Sequence, residues 1–156
     1  MAGGTKRLPR AVREQQMLDA AVKVFAQNGF RETSMDAIAS EAQISKPMLY
    51  LYYGSKEELF AACVVRESGR LIDHLTAAAT GSAGPRRRLE DVVQAFLEFV
   101  DAHTDSWNVV YRQAFAEPQF REEVEKTRTV LVDLTTDLLA QNSGDERGRE
   151  VLEVVA

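Results

Sequence analysis

With 156 residues, 45% of them hydrophobic and 28% charged, the chain can bury one or two modest cores, and its balanced composition excludes disorder throughout. Its formal charge of -5 argues against indiscriminate nucleic-acid binding, but the charge is unevenly spread: residues 1–56 carry eight Lys/Arg against five Asp/Glu, and residues 57–156 eleven against nineteen. No apolar run approaches the roughly 18 residues of a membrane span, no secretion signal opens the chain, and Cys63 with His74 and His103 makes neither a disulfide nor a metal cluster, so a cytoplasmic chain without cofactor is expected.

Residues 1–10, MAGGTKRLPR, carry basic side chains without helical period and read as an arm, either a plain terminus or a reach toward phosphates. A first helix is predicted from about Ala11 to Gln27, with Met17, Leu18, Ala21, Val22 and Phe25 as its apolar stripe and Asn28-Gly29 as its stop. Phe30 packs back, and Thr33 or Ser34 caps a second helix. The hydroxyl there serves either as a cap alone or also as a phosphate contact, with Ser34 the candidate for the second. In that helix Met35, Ile38, Ala39 and Ala42 share a face while Asp36, Ser40 and Glu41 point elsewhere. Gln43-Ile44 makes a short connection, Ser45 caps a third helix, and Pro47 is tolerated in its first turn. Leu49 and Tyr53 form its buried face. Lys46, Pro47, Met48, Tyr50 and Tyr52 remain outside, a basic and aromatic surface with no carboxylate of its own. Such a surface suits nucleic acid, since lysine neutralises phosphate, tyrosine hydroxyls bond phosphate oxygens, and proline or methionine meets a thymine methyl.

Ala20-Ala21, Phe25, Asn28-Gly29-Phe30, Thr33-Ser34, Ile38-Ala39, Ala42, Ile44-Ser45-Lys46-Pro47, Leu49-Tyr50, Tyr52-Tyr53 and Ser55 to Phe60 together resemble the N-terminal domain of the TetR-type (tetracycline-repressor-like) transcriptional regulators. The resemblance implies an all-α homodimer: a three-helix DNA-binding domain with a helix-turn-helix (11–56), whose long fourth helix leads into a helical effector-binding and dimerisation domain (57–156). It further implies that the recognition helix, 45–52, enters the major groove of double-stranded operator DNA, and that a small effector changes the spacing of the two heads. Lys46, Pro47, Tyr50 and Tyr52 match the family's DNA-contacting positions, and Lys56 its phosphate anchor. Gln43 departs from the usual turn glycine, which asks a residue with a side chain to hold a left-handed conformation. Tyr53 departs from a common phenylalanine.

After Lys56 a long helix is predicted to about Ala79, with Leu59, Phe60, Cys63, Val64, Leu71, Ile72 and Leu75 on one side; Cys63 reads as core before redox sensor. Thr80 to Pro85 is the clearest linker. Arg86, Arg87 and Arg88 form either a second phosphate patch or a solvated run paired with Glu90 and Asp91. A helix over 87–103 carries Leu89, Val92, Val93, Phe96, Leu97 and Val100, and a second over 106–116 carries Trp107, Val110, Tyr111 and Phe115. Phe96, Phe99, His103, Trp107, Tyr111 and Phe115 are the candidate walls of a pocket for a hydrophobic effector, against the plainer reading of an aromatic core stripe. Over 119–141, Phe120, Val124, Thr127, Leu131, Leu134 and Leu138 make a heptad-like seam for this domain or for a partner chain. Asn142-Ser143-Gly144 breaks it. A further helix from Asp145, with Val151, Leu152, Val154 and Val155, stops at Ala156, short of the family's usual length, so the second domain is expected to be incomplete.

An effector-responsive, sequence-specific regulator, a repressor by expectation, is therefore the leading reading. The alternative is a helical ligand-binding or interaction protein in which the helix-turn-helix is only structural. No Ser/His/Asp or Cys/His constellation and no Gly-rich phosphate loop suggests an enzyme.

Overall fold

The computed structural model describes residues 9–81 and 84–142. The arm up to residue 8, the centre of the 80–85 linker, and the break and last helix expected after Asn142 lie outside the described residues. Helices α1 (Arg10–Asn28), α2 (Met35–Glu41), α3 (Lys46–Tyr52), α4 (Lys56–Ala79), α5 (Pro85–Ala102), α6 (Thr104–Trp107) and α7 (Arg121–Asn142) are joined by a π-helical stretch, Asn108–Ala114, and a 3-10 turn, Pro118–Phe120. No strand occurs among the described residues, and none of their helices is long and apolar enough to cross a membrane.

The chain divides into two compact units between Cys63 and Val64, inside α4. In the first unit α1 ends because Gly29 adopts a φ of 82° and its N–H bonds back to the Phe25 carbonyl at 2.8 Å. The turn that follows is tied by Thr33, buried, whose hydroxyl donates to the Gly29 carbonyl at 2.7 Å. Ser34, not Thr33, caps α2. The core is aromatic: Phe60 meets Phe25 edge-on at 4.9 Å and Phe30 at 4.8 Å. Met17, Ile38, Leu49, Leu59 and Cys63 close around it without solvent exposure. Because Leu59, Phe60 and Cys63 belong to this core, the opening turns of α4 complete the first unit.

The second unit is built on Leu71, Leu75 and Ala79 of α4, Val92, Ala95 and Phe99 of α5, and Leu138 of α7, with Leu131 and Leu134 packed against them. The heptad-like seam therefore packs within this unit. On α5 the expected single stripe separates into two faces: Val92 and Phe99 are buried, whereas Val93 and Leu97, four residues apart on another face, are outward. Arg86 pairs with Glu90 at 3.4 Å and Arg87 with Asp91 at 3.1 Å, the solvated alternative for that run. Where one helix was expected over 106–116, α6 gives way to π turns. Val109, Val110 and Ala114 are all buried there, and the i to i+5 spacing of a π turn brings such positions to one side. α4 also buries Glu67, which no apolar pattern announces; its carboxylate accepts from Arg66 Nε at 2.6 Å and from Arg70 Nη1 at 3.3 Å.

Candidate nucleic-acid interface

Local chemistry sets the α2–turn–α3 corner. The Ser34 hydroxyl accepts from Ala37 N–H at 3.1 Å and so starts α2, where the Asp36 carboxylate lies in the first turn, favourable to the helix dipole. Gln43 takes a φ of +55°, the left-handed conformation its position demands, and donates to the Ser40 carbonyl at 3.1 Å. Ile44 N–H then bonds the Ala39 carbonyl at 3.0 Å, which closes the turn. The Ser45 hydroxyl accepts from Met48 N–H at 3.4 Å, with Pro47 in the first turn of α3. Leu49, fully buried, fastens this short helix to the core; Tyr53 is only half-buried.

The expected surface residues divide. Lys46, Pro47 and Tyr50 are exposed; Met48 and Tyr52 are half-buried. Leu51, outside the expected surface set, is 80% exposed at the end of α3. Two basic residues of α1 also join the surface. Arg13 Nη1 lies 2.8 Å from the Met48 sulfur, and the Arg10 guanidinium sits over the Tyr52 ring at 5.3 Å while pairing with Glu14 at 2.9 Å. The signal for them was available in the basic opening of α1, but only packing brings them to α3.

Both expected lysines have partners. Lys46 Nζ donates to Asp36 Oδ2 at 2.9 Å, and that hydrogen bond and charge raise its pKa. Lys56 Nζ donates to the carbonyls of Arg31 at 3.1 Å and Thr33 at 3.0 Å and lies 4.8 Å over the Phe30 ring. Its ammonium thus ties the α1–α2 loop to the start of α4. That start is capped by the Ser55 hydroxyl, which accepts from Glu58 N–H at 3.1 Å, while Glu58 accepts from Gly54 N–H at 2.9 Å.

Five of the six expected effector residues gather in the second unit. Trp107 stacks on Tyr111 at 4.0 Å and meets Phe96 edge-on at 5.4 Å; Phe99 stacks on His103 at 4.5 Å. Phe115 does not join them and is 61% exposed, because the π turns shift the register beyond Tyr111. The buried Tyr111 hydroxyl has no hydrogen-bond partner among the described residues, and burial pushes its pKa up to about 12. A separate open groove of about 420 Å³ is lined by His74, Ala77, Ala78, Arg87, Asp91, Gln94, Ala95 and Glu98, and none of the six lines it.

Comparison with known proteins places this geometry. Residues 17–63 match the model for bacterial regulatory proteins of the tetR family, and residues 85–156 that for the tetracyclin repressor-like C-terminal domain. The HTH-type transcriptional activator FasR of Mycolicibacterium smegmatis is 34% identical over 152 residues, which are 95% of this chain and 69% of that protein. The chain belongs to the tetR family. Among solved structures, a TetR-like transcriptional regulator from Rhodococcus sp. RHA1 shares 52% identity at a TM-score of 0.81, over 96% of this chain and 81% of its own. FadR of Bacillus subtilis, solved in complex with stearoyl-CoA, shares the tetR fold at a TM-score of 0.74 but only 18% identity, over 90% of this chain and 80% of its own. The chain spans 56% and 46% of the length of two further regulators it matches. TetR-family membership makes this a transcriptional regulator of a DNA-binding, ligand-responsive family.

Proposed function

We propose that the chain binds a pseudo-palindromic operator as a homodimer, reading each half-site through α3 with the heads about 34 Å apart, and that a hydrophobic ligand modulates this binding. The observation that carries the reading is the exposed face of α3: a capped, Leu49-anchored helix that presents Lys46, Pro47 and Tyr50, with Met48 and Tyr52 half-buried beside them. A helix that served packing alone has no use for that outward set. Ser34 and Lys56 flank it, Ser34 at the start of α2 and Lys56 at that of α4; in this reading the first contacts phosphate with its hydroxyl, and the second holds the α4 terminus in place for phosphate.

The effector half of the proposal rests on Phe96, Phe99, His103, Trp107 and Tyr111, which offer broad apolar faces and one buried hydroxyl in want of a partner. Phe115, 61% exposed and outside this group, is left out of it. Since FadR, a neighbour in fold, was solved with stearoyl-CoA, a long-chain acyl thioester is the first ligand to try. The sign of regulation follows the operator's position: a site overlapping the promoter gives repression, which we take as the default, whereas FasR is named an activator.

The test is a fluorescence-anisotropy titration against DNA from the protein's own upstream region at two salt concentrations. Saturable, competitor-resistant binding is expected, lost in Lys46→Ala/Tyr50→Ala and weakened in Tyr50→Phe. Binding that is equally weak and salt-dependent in wild type and double variant would refute α3 as the reading element.

A further inference from the structure

Asp36 and Lys46 stand ten residues apart, on different helices, and meet only because the Gln43 turn folds α3 back across α2. Their 2.9 Å contact lies on the solvent side, with 69% of the Asp36 side chain and 47% of the Lys46 side chain exposed. An ion pair this open contributes little to folding. The corner is already held by Ile38 and Leu49, both fully buried, and by the Ser34 and Ser45 caps. What the pair does change is the field in front of α3. Lys46 is the one lysine within α3, and a carboxylate neutralises it at rest. The Lys56 ammonium, nearby in sequence, is committed to two carbonyls.

Binding to arbitrary DNA is driven by cations that replace condensed counterions at phosphates, so it scales with the number of free positive charges. Binding to an operator adds base contacts, which reward a lysine held in a set direction more than one that is free to sweep the backbone. Resting on the reading of α3 given above, we infer that Asp36 is a specificity-determining positioning residue: its carboxylate aims Lys46 and keeps the ammonium from engaging phosphates of non-operator DNA.

The experiment compares wild type, Asp36→Asn, Lys46→Met and the double variant on operator and on scrambled duplex, as the full chain, across a salt series. Asp36→Asn is expected to raise affinity for the scrambled duplex about threefold or more and to steepen its salt slope by about one phosphate's worth, near 0.9. Operator affinity stays level or falls, so the specificity ratio drops. In the Lys46→Met background the slope change disappears. An unchanged ratio and slope in Asp36→Asn, or the same slope change without Lys46, overturns the inference. Asp36→Ser serves as a second neutral variant that is well tolerated near a helix start, and melting curves identify any loss of fold. Lys46→Ala/Tyr50→Ala separates the two levels. If wild type binds the operator and that variant does not, a flat Asp36→Asn result counts against the positioning role alone; if wild type shows no operator preference, both ideas fail.

Discussion

The two units handle their aromatic and polar groups differently. In the first, the rings of Phe25, Phe30 and Phe60 form one closed cluster, and the hydroxyls of Thr33, Ser34, Ser45 and Ser55 each serve a turn or cap. In the second, Phe96, Trp107 and Tyr111 are packed against the core but remain partly exposed, and Ser68 Oγ, Arg88 Nε and Tyr111 Oη are buried without partners among the described residues. A reading head must hold a short helix at fixed register, which rewards complete packing and complete hydrogen bonding. In the function proposed for the second unit, its apolar faces and unmade hydrogen bonds are what a ligand completes. The contrast teaches that the two halves differ in how finished their interiors are.

Substitutions can break or sharpen that contrast. The largest effect is expected for Phe60→Ala, which opens the three-ring cluster and should cost about 3–5 kcal/mol in chemical denaturation; a loss under about 1 kcal/mol would mean that this core adapts as readily as the other. Lys56→Met removes two carbonyl partners, one of them partly buried, and should cost about 1 kcal/mol in the same assay. No change in stability would reassign this lysine wholly to DNA. Gln43→Gly should stabilise the corner by about 0.5–1 kcal/mol, since glycine holds a φ of +55° without the Cβ penalty. A lower melting temperature would show that the Gln43 side chain compensates for its own strain.

Tyr111→Phe should have the smallest effect, leaving stability level or slightly raised, because it deletes a buried hydroxyl with no partner. A clear loss of stability would close the contrast between the units. The same residue sets a pH dependence. Its pKa rises from 10.0 to about 12 on folding, so the neutral phenol favours the folded state at every pH below 10, and that contribution is lost as pH climbs from 10 toward 12. An ultraviolet titration should find one tyrosine ionising late, and it should be absent in Tyr111→Phe.

Much of the first unit was legible because its signals are local. Met17, Leu18, Ala21, Val22 and Phe25 repeat at helical spacing and all are buried; Ser34, Ser45 and Gly29 act within a few residues of themselves. Gln43 was legible only through the family resemblance, which puts a turn glycine at its place, and its φ of +55° follows that expectation. The second unit was less so. Val93 and Leu97 look as apolar as Val92, and only the position of a neighbouring helix decides which faces inward. The π turns over Asn108–Ala114 depend on accommodating Val109, Val110 and Ala114 together, a demand of tertiary packing that no residue there announces.

By itself, then, the amino-acid order determined the helices of the reading head, their caps, the turn and the outward character of α3, because each follows from neighbours within one or two turns. Tertiary structure alone decided that Asp36 would reach Lys46, that Arg10 and Arg13 would lie against Tyr52 and Met48, that Lys56 would bind two carbonyls, and that Phe115 would leave the aromatic cluster. Those are contacts and faces set by how whole helices pack, and the distances that govern them do not exist until the chain has folded.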